Sequence, residues 1–355
     1  MKLFQILASL SLLGLAAHAQ PAEAPEPDWT AINLAVTDQH VLPGYQFFAS
    51  SAAMLAESAR GLCLKPDAAS LANTQLSFHQ AMDAWEEIQH IQFGPVTYFN
   101  WNFRLQYWPD EKGTGARQLD DMIAIQDTSS LETETFARQS VGVQGFPALE
   151  RLLFEDNSVQ LLQQDAYRCQ VLSTIAANIN DIAAGISMRW QDEFRATIAT
   201  ADERGFFESA QDATVEFYKA LAESVRKYQQ QKVEAVLGES LAAARIRKAE
   251  SWRSARSLRN LKLNVSALES LFSTSVPALS TALLPEDVVK TQTAFTQLNT
   301  DLLSLPDDME SMLQSESAYQ QLKAVDAGLD NLFETLETAL KNTDLYLGFN
   351  SLDGD

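Results

Sequence analysis

The sequence predicts an all-α protein made of two helical bundles related by internal duplication. Three observations carry that reading. Two long segments each hold a single apolar stripe at spacings of three and four, the period of a half-buried helix. Similar elements follow in the same order in each half of the chain. No run alternates apolar and polar residues as a strand does, and no hairpin dipeptide lies between apolar runs.

The 355 residues are 46% apolar or aromatic, enough for the cores of about two domains. Met1-Lys2 precedes an apolar run from Leu3 to Ala17, and Ala17-His18-Ala19 has the small-x-small spacing of a signal-peptidase site. Residues 1–19 therefore read as a cleaved export signal, and residues 20–28 as a Pro-rich leader. That first run is short for a bilayer span, and no later segment approaches eighteen apolar residues. The mature chain is expected to be soluble and periplasmic, without a transmembrane segment.

Residues 29–203 form the expected first bundle and 204–355 the second, with the boundary at Ala201–Gly205. Phe47 to Leu62 and Phe206 to Val236 open the halves as helices, and a Trp-bearing helix follows in each, around Trp85 and Trp252. In the first half, Leu172, Ile175, Ile179, Ile182 and Ile186 mark a long helix from Ala166 to Trp190. In the second, Leu322, Val325, Leu329, Leu332 and Leu336 repeat its spacing. Pro66, Pro285 and Pro306 read as helix starts because an acidic residue follows each within a turn. Ser129-Ser130-Leu131-Glu132 has capping-box spacing. Gly94 to Gly115, rich in aromatics, is expected to be a non-helical loop.

Charge excludes some functions. There are 26 basic and 47 acidic residues, for a net charge of −21, or −22 once Lys2 is removed. Nucleic acid and anionic lipid need Lys and Arg surfaces, so neither is an expected partner. Dinucleotide, P-loop, G-x-S-x-G and H-E-x-x-H motifs are absent. Export makes a disulfide the simplest fate of Cys63 and Cys169, the chain's two cysteines. Two buried thiols or a metal pair are the alternatives.

Five groups of residues could carry chemistry. His79, Asp83, Glu86 and His90 share a helical face and could bind a divalent metal, or form a solvated polar face. Arg104 and Asp110 flank Trp108-Pro109 and could recognise a carboxylate or planar ligand, or pair with each other. Glu150 sits on an apolar turn that begins Gly145-Phe146-Pro147; such a carboxylate is either paired with Arg or functional. Residues 245–262 carry seven of the basic residues, and Arg245, Lys248, Trp252, Arg256 and Arg259 fall on one helical stripe. That stripe either lines an anionic site or turns inward to meet acids of the other half. The tail from Gly348 through Asn350 and Asp353 to Asp355 looks like part of a calcium loop.

Several runs resemble the imelysin-like proteins: Gln89-His90-Ile91-Gln92-Phe93-Gly94-Pro95, Trp108-Pro109-Asp110, Gln144-Gly145-Phe146-Pro147-Ala148-Leu149-Glu150, Ala249-Glu250-Ser251-Trp252-Arg253 and the closing Gly348–Asp355. The likeness covers nearly the whole mature chain. It implies two helical bundles with a site in the cleft between them, a class of exported bacterial proteins called imelysin peptidases, and a link to iron-regulated periplasmic proteins. The family's G-x-H-x-x-E motif is thought to bind metal. Here Gly145 and Glu150 match it, but Pro147 stands in the histidine's place and has no ligand atom.

The resulting expectation is a non-catalytic periplasmic protein that binds iron, another metal, haem or a related small ligand. Its cleft site would include Arg104, Trp108, Asp110, Gly145, Pro147, Glu150, Trp252, Arg256, Asn350 and Asp353, with Glu150 the remaining metal ligand. A metallopeptidase and a helical module for an envelope protein are the alternatives.

Overall fold

The computed structural model describes residues 26–202, 205–343 and 345. The expected export signal and the tail residues Asn350 and Asp353 lie outside them. The chain is all-α, and no strand occurs among the described residues. Helix α1 (Trp29–Val36) passes through a π-helical segment (Thr37–Val41) into α2 (Leu42–Leu64), and α3 (Ala68–Glu86) returns beside it. Short helices α4 (Trp101–Leu105), α5 (Thr114–Ile125) and α6 (Thr133–Phe136) lead to α7 (Gly145–Phe154) and α8 (Ser158–Gln164). Helix α9 (Ala166–Arg189) continues through Trp190–Phe194, again π-helical, into α10 (Arg195–Ala199). Then come α11 (Ala210–Lys227), a third π segment (Tyr228–Glu234), α12 (Ala235–Leu237), α13 (Ser257–Ser273), α14 (Pro285–Leu303) and α15 (Glu316–Lys341).

Both apolar stripes do what their spacing requires. The five stripe residues of α9, at most 2% exposed, pack mainly against α2; those of α15 are fully buried among α11 and α14. The stretch Ala166–Ala199 is long and apolar enough to cross a bilayer by length and composition. Its stripe instead lies in the core, as expected of a central helix in a globular fold. Side-chain caps define several starts: Asp67 for α3, Asp165 for α9 and Ser315 for α15 each accept a backbone N–H of the first turn. Cys63 in the last turn of α2 is disulfide-bonded to Cys169 in the first turn of α9, as expected.

The halves share one continuous core. Helix α1 packs on α11, and Asn33 reaches across it to the Ala210 carbonyl and the Thr214 hydroxyl at 2.7 Å each. Helix α3 packs on α13.

Four local expectations change. Gly94–Asn100 is a 3-10 segment and α4 follows it, so only the residues from Gln106 onward cross as loop. Helix α11 starts later than Phe206 and breaks into π geometry at Tyr228. Asp127, rather than Ser129, caps the turn before α6. Pro306 starts no helix; the Asp307 carbonyl accepts the Leu258 and Arg259 N–H groups and so closes the first turn of α13.

The largest change lies at residues 245–256. These are 3-10 turns and loop, with Ser251 and Ala255 at positive φ (49° and 54°), so Trp252 is not on a helix. The basic residues therefore do not form a helical stripe, and each finds its own environment.

Candidate functional site

A cleft of about 1130 Å³ opens between the halves. One wall comes from the loop Gln106–Glu111, the start of α5 and the face of α7 carrying Pro147, Ala148, Glu150 and Arg151. The other comes from Gln230, Gln231 and Ala235 and from the irregular segment between Arg245 and Arg253. Chain segments with no regular helix form much of the lining because a helix lends its neighbours one face, whereas a loop can turn several side chains toward one space.

Local backbone constraints position the first wall. Gly145 opens α7 with φ of +71°, and a Cβ there would collide with the carbonyl oxygens of Arg104 and Leu105. Only glycine allows α7 to begin so close to the end of α4. Pro147 follows in the first turn, where its missing N–H leaves no helical bond unmade. Asp110 accepts the Thr114 and Gly115 N–H groups at 2.8 Å each, anchoring the loop to the start of α5. It does not pair with Arg104, whose guanidinium donates to Gln144 and Asn178 at 2.9 Å each, behind the cleft wall. Trp108 and Trp252 both line the cleft; Arg104, Gly145 and Arg256 do not line it.

Glu150 is 4% exposed. One oxygen accepts the Ser254 N–H at 2.9 Å and the Ser254 hydroxyl at 2.6 Å. Burial raises its pKa; the Ser254 bonds and the nearby charges of Arg253 and Arg256 oppose that rise without cancelling it. Arg256, 1% exposed, turns away from the cleft toward α3. It donates to Asp83 at 2.6 Å, the His79 carbonyl at 3.0 Å and Asn260 at 2.7 Å, with His79 Nδ1 at 3.1 Å. Arg259 joins it on Asp83 at 2.5 Å.

The four residues of the proposed metal face separate accordingly. His79 and Asp83 belong to that Arg cluster, where burial and the Arg256 charge lower the His79 pKa to about 4. Helix α3 ends at Glu86, so His90 leaves the shared face. Its Nε2 lies 2.8 Å from Nε2 of His40 on the π segment before α2. Burial lowers both pKa values, that of His40 to about 4, so the pair is neutral. Among the described residues no three His, Cys, Asp or Glu side chains are grouped to hold a metal.

Glu86 enters a buried triad that sequence reading misses. Lys232 Nζ lies 2.9 Å from Glu86 and 2.6 Å from Glu250, and donates to Asn264 at 2.6 Å. Glu250 reaches the cleft, where its other oxygen accepts Gln106 Nε2 at 2.8 Å. Burial and repulsion from Glu250 push the Glu86 carboxyl up, so of the two acids it is the one that ionises less readily. Glu250 stays below its ordinary range: burial opposes ionisation, and Lys232 outweighs burial. The sequence signal is a lysine directly after a run of glutamines that ends at Gln231, too weak to read without its partners.

The cleft can therefore recognise a ligand through two indoles, a row of basic side chains and two buried carboxylates, Glu150 and Glu250. Comparisons with known proteins agree with this architecture. Over 64% of this chain, Iron-regulated protein A of Synechococcus elongatus is 23% identical; the aligned part is 59% of that relative, somewhat over half its length. An imelysin-like protein of Psychrobacter arcticum superposes with a TM-score of 0.75 at 19% identity, covering 90% of this chain and 97% of that one. A Parabacteroides distasonis protein described as an iron-regulated protein A precursor superposes with a TM-score of 0.73 at 13% identity and the same coverage. The sequence profile of the imelysin family, Peptidase M75, matches residues 41–338. The chain thus belongs to the imelysin family.

Proposed function

We propose that this chain is an exported, periplasmic binding protein without peptidase activity, and that it holds an iron-linked small ligand in the cleft between its halves. The observation that carries the reading is the cleft itself: about 1130 Å³ between the halves, lined by Trp108 and Trp252, with Glu150 buried in its wall. The iron link comes from relatives named iron-regulated protein A.

The donor set does not fit a resident metal of the G-x-H-x-x-E kind. Pro147 offers no ligand atom, and Glu150 already uses one oxygen to accept two bonds from Ser254 beside the cationic Arg253. A catalytic zinc site takes about three protein ligands and an open position for water. The motif positions of this chain supply Glu150 alone toward that set. A metal that enters this cleft does so with its own ligands.

Calorimetric titration of the mature protein with haem, ferrous and zinc salts and ferric chelates tests the reading. We expect heat for at least one probe, lost in Trp108→Ala. No heat for any probe would end it. Incubation of the zinc-loaded protein with unfolded casein is expected to leave the casein intact. Cell fractionation with N-terminal sequencing is expected to return a periplasmic chain beginning at Gln20.

A further inference from the structure

The charges of the cleft are unevenly satisfied. Three of its acids are engaged: Asp110 by backbone N–H groups, Glu150 by Ser254 and Glu250 by Lys232 at 2.6 Å. Arg247, Lys248 and Arg253 line the same space; none makes an ion pair within 4 Å among the described residues, and Arg253 meets Glu150 only as a nearby charge. Arg245 donates only to the Ala242 and Ala244 carbonyls. In a chain of net charge −21, the cleft thus gathers five cations, Arg151, Arg245, Arg247, Lys248 and Arg253, against four lining acids, one of which, Glu250, is paired with Lys232. Glu111 is the fourth, an exposed acid at the rim.

Two of these cations also lie over one indole. The Arg253 guanidinium lies 4.4 Å from the centroid of the Trp252 ring, and that of Arg247 lies 5.8 Å away. Cation–π attraction to an indole restrains a guanidinium, and a guanidinium can grip a planar acidic group through paired N–H bonds. Arg253 is half-buried beside Glu150, and burial lowers its pKa. A cation so placed gains more from an anion than one in open water.

We infer that the cleft binds a small organic anion carrying two or more acidic groups, free or as its metal chelate, with those groups on Arg247, Lys248 and Arg253. The indole of Trp108 on the facing wall covers the carbon skeleton. This rests on the binding function proposed for the cleft and specifies the chemistry of the ligand.

Calorimetric titration of the mature protein with citrate, ferric citrate, inorganic phosphate and zinc chloride tests it. Citrate or ferric citrate is expected to bind, phosphate about tenfold more weakly because it has no skeleton to cover. Arg247→Gln with Arg253→Gln is expected to weaken binding by about tenfold or more. Arg138→Gln, the same charge change at a side chain 82% exposed away from the cleft, leaves binding unchanged. Binding of the chelate alone, weakened by the double substitution, identifies the chelate as the source and supports the inference. For the unaltered protein, affinity is expected to fall steeply as sodium chloride rises, which needs no variant to fold.

Failure of both citrate probes, or affinity that ignores both salt and the double substitution, overturns the inference. Zinc that binds in a Trp108-dependent way while the anions do not overturns the anion and leaves the cleft's binding function standing.

Discussion

Ser254 donates both its N–H and its hydroxyl to a single oxygen of Glu150, joining the loop before α13 to α7 across 104 residues of sequence. This is one of the bonds that ties the halves together at the cleft, and it puts a carboxylate where burial opposes its charge. Folding therefore favours the protonated form of Glu150. Its contribution to stability is fully present below the ordinary carboxyl range and is lost as pH rises through the raised pKa. Glu150→Gln keeps the acceptor and removes the charge. Its melting temperature, relative to the unaltered protein, is expected to rise between pH 4 and pH 8; a flat difference would show that burial does not dominate. Ser254→Ala removes the hydroxyl bond and is expected to cost about 1–3 kcal/mol in urea unfolding.

Lys232 lies between Glu86 and Glu250 with all three side chains at most 3% exposed. Replacing it with Met leaves two buried acids without their cation. The expected cost is about 3–5 kcal/mol, as for other buried ion pairs that lose one partner. Adding Glu86→Gln and Glu250→Gln to that variant is expected to restore part of the loss. A single substitution costing under about 1 kcal/mol would mean the triad is hydrated in solution.

The Cys63–Cys169 bridge spans a sequence separation of 106 residues. In the chain-entropy account, closing such a loop stabilises the fold by about 4–5 kcal/mol. Thiol counting on the unreduced, denatured protein is expected to find none. Replacing both cysteines with Ser should lower the urea midpoint correspondingly, with an unchanged helical spectrum.

His40 and His90 share a buried contact in which neither imidazole is charged. Unfolding frees them to take protons, so stability is lost as pH falls from 6.5, where free histidine titrates, toward the His40 value of about 4. His90→Gln is expected to flatten this part of the stability profile. A profile of unchanged slope over that window would count against a neutral pair.

Much of the fold is written in local pattern. The stripes of α9 and α15 bury as their period requires, since helical spacing alone puts i, i+3, i+4 and i+7 on one side. Two cysteines in a chain whose sequence predicts export suffice to point to the disulfide. At the cleft the pattern is a partial guide. Trp108, Asp110, Pro147, Glu150 and Trp252 do line one space, while Arg104 and Arg256 stand behind its walls. Sequence pattern places Arg256 either in the cleft with Glu150 or against acids of the other half; Asp83 on α3 is its carboxylate partner, beside the His79 carbonyl.

The sequence alone thus established the all-helical class, the long core helices and the disulfide, because each depends on spacing along the chain or on counting residues. Folding in three dimensions settled which cations are neutralised. The Arg245–Lys262 run is irregular until α13 begins at Ser257, with φ positive at Ser251 and Ala255. Arg256 and Arg259 pass to one side and meet Asp83; Arg247, Lys248 and Arg253 pass to the other and meet the cleft. Charge partners come from segments far apart in the chain, and no periodicity of one segment encodes them.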